Sequence, residues 1–327
     1  MSAPATTATE TDPIIETEGL TRRFSVRDGL RRRTVTAVDN VSVQIGAGEA
    51  VGYIGANGAG KSTTIKMLTG ILVPTSGWAR TCGLRPVPER RRLARQVGVV
   101  FGQRSQLWWD LPVRESFRIL AAIHSLPREE ERRRTDELID QLELSEFLAT
   151  PVRQLSLGQR MRAEVAAALL HSPRLVILDE PTIGLDVLSK QRLRDFLITE
   201  RREHGTTLLL TTHDMGDVER LCERVLVVDH GTVAYDGDLP GLSRTVGAER
   251  VLVIDLVETS GDLTGIPGTR HLESEGSGLR QRLALDDGAT TVARVLATVS
   301  ARAEVRDLTI EEPDIEDVVR RIYAARR

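Results

Sequence analysis

Apolar residues alternate with polar ones in the first fifty positions and later come in short uninterrupted runs. IIETEGLTRRFSV and TVTAVDNVSVQIG alternate as antiparallel strands do, and Asp28-Gly29 between them favours a turn. Four later runs are apolar almost throughout, as strands inside a parallel sheet are: EAVGYIG, RLVILDE, TTLLLTTH and RVLVVDHG. Helical patterns lie between them at KSTTIKMLTG, over 113–170 and over about 187–204. This order predicts an α/β fold with a mostly parallel sheet covered on both faces.

The pattern changes near Asp238. Strand-like ERVLVIDLVE, LRQRLALD and AEVRDLTI follow, with a Gly/Ser-rich stretch at 260–278 and a helix at about 289–300. A last helix begins at Pro313, and its apolar residues fall on one face: Ile315, Val318, Val319, Ile322 and Tyr323. We therefore predict a small α+β accessory domain over 239–327.

The rest of the chain divides in two. Residues 1–13 lack apolar patterning and predict a disordered tail, and residues 14–238 form the α/β domain. Its helical patterns with no clear strand predict a helical subdomain at about 104–170.

The composition of the chain argues against some classes of function. With 40% hydrophobic and 28% charged residues the chain is typical of globular proteins, and a net charge of −3 gives no basic excess for nucleic acid. No apolar run approaches the roughly 20 residues that span a bilayer. Cys82 and Cys222 lack metal-ligand spacing and predict buried, reduced thiols. We expect a cytosolic chain unless a partner holds it at a membrane.

The segment GANGAGKS, from Gly55 to Ser62, matches G-x-x-x-x-G-K-[ST] between an apolar strand and a helix. Glycines let successive backbone N–H groups turn towards phosphate oxygens, and the helix N-terminus adds positive potential. Lys61 can reach the β- and γ-phosphates, and the Ser62 hydroxyl can ligate Mg²⁺. This context favours a nucleotide site over an ordinary glycine-rich turn.

Two acids end the apolar run RLVILDE. Asp179 at the carboxyl end of a parallel strand lies where such sheets bind ligands, and it can hold a metal. Side chains of neighbouring strand residues point in opposite directions, so Glu180 can face an attacking water.

A second candidate anion site lies in LSLGQ. Ser156 can cap the helix that follows, leaving free N–H groups at Gly158 and Gln159. Taken alone, this feature is equally an ordinary helix cap.

These motifs occur in one order: Gly55–Ser62, Gln103, LSLGQ, LDEP, IGLD and His213. Over about 15–238 the chain resembles the ATP-binding subunit of ATP-binding cassette (ABC) transporters. TIKMLTGILVPTSG and VVFGQRSQLWWDLP resemble the export branch with an ABC-2-type permease, and within it a drug or viologen exporter subgroup. The resemblance implies a P-loop NTPase fold of ABC type, with antiparallel β and helical subdomains, and ATPase activity.

It also implies residue roles. Glu180, His213 and Gln103 would be catalytic, with Glu180 polarising water and His213 contacting the γ-phosphate. Ser62, Gln103 and Asp179 would arrange Mg²⁺. ATP would bind to Phe24, which stacks on adenine, and to Gly55, Ala56, Asn57, Gly58, Ala59, Gly60, Lys61, Ser62, Thr63, Ser156, Gly158, Gln159 and Asp186.

In the family, two copies meet head to tail, and each presents its LSLGQ-type segment to the ATP held by the other. The resemblance implies a second ATP-binding subunit, as a homodimer, and an integral membrane permease. The chain would then lie at the cytoplasmic side of the cell membrane through that permease. Ser156, Gly158, Gln159 and Asp186 would lie at the interface between copies.

One residue departs from the family pattern, and one pair of residues has two possible interpretations. Leu157 replaces the usual glycine of the signature segment, although the flanking Ser156 and Gly158 are retained, so we expect hydrolysis to survive. Trp108 and Trp109 follow Gln103, where the family has a groove for a short helix of the membrane subunit. They either help to form that groove or belong to the core of the helical subdomain.

Other functions remain open at this point. One alternative is an import ATPase whose accessory domain is regulatory. Another is a soluble ABC ATPase that acts on ribosomes or DNA, but such relatives carry two cassettes or a long coiled coil, and neither occurs here.

Overall fold

The structure is a computed structural model and describes residues 12–28, 31–102, 105–245, 249–286, 289–311 and 315–325. The chain divides into two compact units, Met1–Gly237 and Asp238–Arg327. Most of the predicted tail 1–13, namely residues 1–11, lies outside the described residues.

The first unit contains both sheets and helices. Its strands are β1 (Ile15–Asp28), β2 (Arg31–Ile45), β3 (Ala50–Gly55), β4 (Ser76–Thr81), β5 (Val97–Val100), β6 (Leu175–Asp179), β7 (Thr207–Thr211), β8 (Arg224–Asp229) and β9 (Thr232–Gly237). Its α-helices are α1 (Lys61–Leu68), α2 (Arg90–Leu93), α3 (Val113–His124), α4 (Arg128–Gln141), α5 (Leu157–Leu169), α6 (Val187–His204) and α7 (Met215–Leu221).

A six-stranded sheet in the order β5-β6-β7-β3-β8-β9 carries the candidate chemistry. Its strands pair in parallel from β5 to β8, and only β9 runs antiparallel at the edge. The central strands β3 and β7 are buried at every position, which explains their unbroken apolar runs. The carboxyl ends of β3, β6 and β7 therefore meet at one edge of the sheet.

A second, antiparallel sheet has the order β2-β1-β4. The predicted hairpin of β1 and β2 is present, with paired positions that run to Asp28 and Arg31; Gly29 of the predicted turn lies outside the described residues. The strand β4 was not predicted, because SGWART is half exposed and lacks apolar alternation.

Three α-helices occupy the stretch predicted as a helical subdomain: α3, α4 and α5. The helix predicted over about 187–204 is observed as α6, Val187–His204. Both cysteines are free and buried, and burial raises the pKa of Cys82 to about 11 and that of Cys222 to about 12.

The second unit is α+β. It contains α8 (Leu239–Thr245), β10 (Arg250–Leu256), β11 (Thr269–Glu275), β12 (Arg280–Leu285), α9 (Val292–Ser300), β13 (Val305–Glu311) and α10 (Ile315–Ala325). Its strands form an antiparallel sheet in the order β11-β12-β10-β13, with a core of Leu252, Ile254, Leu283, Val295 and Val299.

Sequence and structure differ in one place here. The strand β11 lies in the stretch predicted as Gly/Ser-rich, since its residues are mostly polar and it is an edge strand. Pro313, the predicted start of the last helix, lies outside the described residues; α10 buries Ile315, Val318, Val319 and Ile322 as expected. Within the described residues, no helix has the length and apolar content needed to cross a membrane.

Candidate functional site

The loop between β3 and α1 forms one wall of the candidate site. Gly60 precedes α1 with a φ of 104°, a left-handed conformation, and a Cβ there would lie 2.3 Å from the carbonyl oxygen of Ala37. Only glycine fits this position without displacing backbone. The N-terminal end of α1, with N–H groups that lack intrahelical partners, borders a cleft of about 770 Å³.

Ten of the predicted site residues line this cleft. They are Ala56, Asn57, Gly58, Gly60, Lys61, Ser62, Thr63, Asp179, Glu180 and His213. Gly55 and Ala59 belong to the same loop but are buried beneath it. Gln103 lies outside the described residues, and Gly102 beside it lines the cleft.

Lys61 lies back on the loop that precedes it. Its Nζ donates to the carbonyl oxygens of Gly55 and, at 3.2 Å, of Ala56. Burial lowers the pKa of Lys61, and the charges of Glu180 and Asp179 oppose that effect. A phosphate group in the cleft would offer charged acceptors, which bind an ammonium more strongly than carbonyl oxygens do.

The end of β6 supplies the two acids. The hydroxyl of Thr211 at the end of β7 donates to Asp179 Oδ1 at 2.5 Å, which fixes the carboxylate at the sheet edge. The next residue, Glu180, has a φ of 55°, and its N–H donates to the carbonyl of Thr211 at 2.8 Å. A non-glycine residue held in this conformation costs of order 1–3 kcal/mol, and such strain clusters at functional sites.

His213 approaches Glu180 from the end of β7. The Nε2 atom lies 3.8 Å from Glu180 Oε1, while the backbone N–H of His213 and the hydroxyl of Thr212 each lie 3.4 Å from Oε2. Burial raises the pKa of Glu180, and the positive charge and N–H of His213 partly offset this rise. The cleft thus places the Glu180 carboxylate, whose pKa is raised, beside the half-exposed imidazole of His213.

The structure adds a buried acid that sequence reasoning missed. Asp217 of α7 has no exposed surface, and it accepts hydrogen bonds from Thr182 (2.5 Å), Arg194 Nε (2.7 Å) and Thr212 (3.4 Å). It therefore joins the segment after Glu180 to the one before His213. The available signal was an acid four residues after His213 in a short helix.

Two oxygen donors in the cleft suit a magnesium ion. The hydroxyl of Ser62 is exposed at the start of α1, and the carboxylate of Asp179 faces the same cleft. Mg²⁺ takes hard oxygen ligands and usually keeps several waters, so these two side chains fit such an ion.

Phe24 is not among the residues that line the cleft. It lies in β1 opposite Val35, and the guanidinium carbon of Arg22 lies 4.6 Å from the centroid of its ring. The residue of this hairpin that does line the cleft is Ala37.

The LSLGQ segment forms the capped N-terminus of α5. Ser156 caps α5 as predicted, but the prediction of a free N–H at Gln159 is wrong, because the Ser156 hydroxyl accepts from that N–H at 3.2 Å. The Gln159 side chain in turn accepts from the Ser156 N–H at 3.0 Å. Ser156, Gly158 and Gln159 are absent from the lining of the cleft. The arrangement is a helix N-terminus open to solvent, away from the phosphate loop.

Asp186 lies next to that segment. It is exposed and caps α6, accepting from the Ser189 N–H at 3.0 Å, and the hydrogen bonds from Ser189 lower its pKa. A Cβ on Gly158 would lie 3.0 Å from Leu185, the residue before Asp186. The segment that precedes α6 therefore lies against the first turn of α5.

Comparisons with known proteins agree with this arrangement. The family model described as ABC transporter matches residues 38–183. The methionine import ATP-binding protein MetN of Geobacillus kaustophilus is 36% identical over 230 residues, or 69% of this chain and 66% of that protein. The Nod factor export ATP-binding protein I of Ralstonia nicotianae is 35% identical over 265 residues, covering 80% of this chain and 76% of that protein.

A solved structure resembles the first unit. The dimeric, post-hydrolysis structure of the ATP-binding cassette MJ0796 bound to ADP and Pi has a TM-score of 0.62 at 27% identity, covering 69% of this chain and 98% of that one. The phosphate loop, the paired acids and the histidine lie at one edge of the sheet, and these matches agree with that arrangement. The chain therefore belongs to the ABC transporter family as an ATP-binding subunit and is an ABC-type ATPase.

Proposed function

We propose that this chain is the motor subunit of an ABC-2-type exporter, acting as a homodimer that closes around two ATP molecules. One observation supports the proposed homodimer. The chain has two candidate anion-binding arrangements, the cleft at α1 and the N-terminus of α5, and Ser156 of the second does not line the first. A second copy in a head-to-tail arrangement would bring α5 of each chain to the cleft of the other.

We assign the chemistry to residues of the cleft. Glu180 orients and deprotonates the attacking water, since its half-buried carboxylate has a raised pKa. Lys61 and the loop from Gly55 to Gly60 hold the β- and γ-phosphates. His213 contacts the γ-phosphate and, through its N–H, steadies Glu180. The remaining predicted ATP contacts are assigned to Ser62, Thr63 and, across the dimer, Ser156, Gly158, Gln159 and Asp186.

Ser62, Asp179 and Gln103 would hold Mg²⁺, which neutralises developing charge on the phosphates. Thr211 keeps Asp179 oriented for this task. Phe24 does not line the cleft, and we assign it the stacking contact with adenine on the family resemblance alone. Replacement of Phe24 by alanine should then raise KM for ATP with little change in kcat.

The permease would cover the surface that follows Gln103. Trp108 is 36% exposed and Trp109 is 52% exposed, so neither ring belongs to a buried core in the isolated chain. Adjacent exposed tryptophans are typical of interaction surfaces. Such docking would place the chain at the cytoplasmic side of the cell membrane. If iodide and acrylamide fail to quench these rings in the purified chain, this docking surface is wrong.

An import ATPase is the second candidate, because MetN, an import protein, is similar over 230 residues. In that case the unit Asp238–Arg327 would be regulatory. Co-purification with a membrane protein encoded beside this chain, and ATPase assays with candidate substrates, distinguish the two. Dependence on a substrate-binding protein outside the membrane would favour import.

The dimer itself is tested by dilution. ATP turnover per chain should fall as the protein is diluted through the dimer dissociation constant, and Glu180→Gln should trap a dimer when ATP is present. Turnover that is unchanged in strictly monomeric material would overturn the proposal.

A further inference from the structure

A buried carboxylate on α5 holds the segment that links Gln103 to the two tryptophans. Glu164 is 5% exposed. Its Oε1 accepts from the Ser105 hydroxyl, its Oε2 accepts from the Gln106 N–H at 3.2 Å, and its backbone carbonyl accepts from Gln106 Nε2 at 3.0 Å. One side chain of α5 therefore satisfies donors from two consecutive residues of the segment.

The same segment is fixed on its other side by α3. The Trp108 N–H donates at 3.1 Å to the hydroxyl of Ser116, which is fully buried. Ser105 also accepts from the Leu107 N–H at 3.1 Å, and Leu107 is 5% exposed. The backbone from Ser105 to Trp108 is thus held between α5 and α3, while the rings of Trp108 and Trp109 remain exposed.

Glu164 lies on the helix whose N-terminus carries Ser156. Eight residues separate them, which is about 12 Å along a helix axis. Because a helix moves as a rigid rod, a displacement at Ser156 is transmitted to Glu164 and from there to Ser105 and Gln106. Burial raises the pKa of Glu164, and the hydrogen bonds from Ser105 and Gln106 oppose this effect, as expected for a carboxylate that functions as an acceptor.

We propose that Glu164 is a positioning residue, which sets the conformation of Ser105–Trp109 and couples the nucleotide-sensing end of α5 to the exposed tryptophan surface. The coupling between α5 and the tryptophan surface rests on the proposed function, whereas the positioning of Ser105–Trp109 by Glu164 does not depend on it. Loss of the carboxylate leaves the Ser105 hydroxyl and the Gln106 N–H without their acceptor, and the segment loosens.

The test uses intrinsic fluorescence of the full chain with Trp78→Phe, so that only Trp108 and Trp109 report. Without nucleotide, Glu164→Ala should raise the acrylamide quenching constant about twofold, because the segment opens locally. Glu164→Gln, which keeps an acceptor for Ser105, should give an intermediate value. Glu146→Ala, an exposed glutamate of the same region, serves as the control and should leave quenching unchanged.

ATP supplies the second readout. In the parent, Mg-ATP should change the quenching of the two tryptophans, and in Glu164→Ala this response should be lost. Loosening of Ser105–Trp109 should lower kcat about tenfold while KM for ATP stays within about twofold, because Glu164 does not line the cleft. A merely structural role would lower the folded fraction and leave KM, kcat per folded chain and the ATP response intact.

The outcomes separate the two proposals. Equal quenching in Glu164→Ala and the parent without nucleotide overturns the positioning role. If the parent is inactive and monomeric, but Glu164→Ala still raises quenching without nucleotide, the proposed function is wrong and the positioning role of Glu164 is supported. If Glu164→Ala does not fold, Ser105→Ala removes one donor from the exposed side and should raise quenching in the same direction; no change there overturns the proposal as well.

Discussion

Arg134 of α4 and Glu200 of α6 form an ion pair without access to water. The Arg134 Nη2 and Glu200 Oε1 atoms are 2.5 Å apart, and the two side chains are 0% and 1% exposed. Arg134 also donates to Glu137 at 2.9 Å and lies 3.4 Å from the carbonyl of Leu169 at the end of α5. This arginine therefore joins α4 and α5 to α6, the helix that Asp186 caps beside the candidate site.

Replacement of Arg134 by alanine should destabilise the protein by about 3–5 kcal/mol, because Glu200 would remain buried without its permanently charged partner, with the imidazole of His204 3.8 Å away. Urea unfolding followed by circular dichroism measures the free energy of unfolding. Arg133, the next residue, is the matched control: its side chain is 62% exposed and lies 3.6 Å from Glu137. Arg133→Ala should change stability by no more than about 0.5 kcal/mol. Equal effects of the two replacements would contradict this account of the ion pair.

Glu180→Gln should abolish most ATP turnover while ATP still binds. The amide has nearly the same shape but cannot accept a proton from water, so kcat should fall by about 10²–10⁴-fold. Steady-state phosphate release and equilibrium binding of a fluorescent ATP analogue measure the two effects. Glu219→Gln, an exposed glutamate of α7, should behave as the parent. If Glu180→Gln retained a tenth or more of the parent activity, Glu180 would not be the residue that deprotonates the attacking water.

The raised pKa of Glu180 predicts the acid limb of the pH profile. Activity needs the carboxylate, so it falls as pH decreases through the pKa of Glu180. Because burial raises this pKa, the fall in kcat/KM should begin at higher pH than for an ordinary glutamate of pKa about 4.3. His213→Ala removes the imidazole whose interaction lowers the pKa of Glu180, so the acid limb of the remaining activity should move to still higher pH. A limb at the ordinary glutamate value, in protein shown to be folded, would contradict the prediction.

The phosphate loop and the β6 acids could be predicted because local sequence determines both. Gly60 must adopt a left-handed conformation beside Ala37, and glycine, lysine and serine follow a buried apolar strand. The helix over Val187–His204 was equally readable, since an aspartate cap and a closing glycine at 205 bound it.

Contacts between distant segments could not be read in the same way. Asp217 is an ordinary acid in the sequence, and its role appears only when Thr182 and Arg194 pack around it. Glu164 lies in a helix where a glutamate predicts exposure, yet Ser105 and Gln106 cover it. The polar strand β11 is defined by its pairing with β12 rather than by its own pattern.

Leu157 and Gly184 provide the last prediction. Gly184 has a φ of 73°, and a Cβ there would lie 2.3 Å from Leu157 Cδ2, so the leucine that replaces the usual signature glycine lies directly over Gly184. Gly184→Ala should therefore lower ATPase activity about tenfold, through this clash and the strained backbone. Leu157→Gly removes the clashing side chain but keeps Ser156 and Gly158. Its activity should stay within about tenfold of the parent, because Ser156 and the N–H groups at the start of α5 are unchanged.

The double variant separates the clash from the backbone strain. Leu157→Gly in the Gly184→Ala background should recover part of the lost activity, while the cost of a left-handed alanine remains. Steady-state ATPase at saturating Mg-ATP, measured for the parent, both single variants and the double variant, gives the coupling between the two positions. Purely additive losses would show that the Leu157–Gly184 contact is irrelevant to turnover. A hundredfold gain in Leu157→Gly would instead show that Leu157 blocks the signature segment, and hydrolysis by the native chain would then be restrained at this residue.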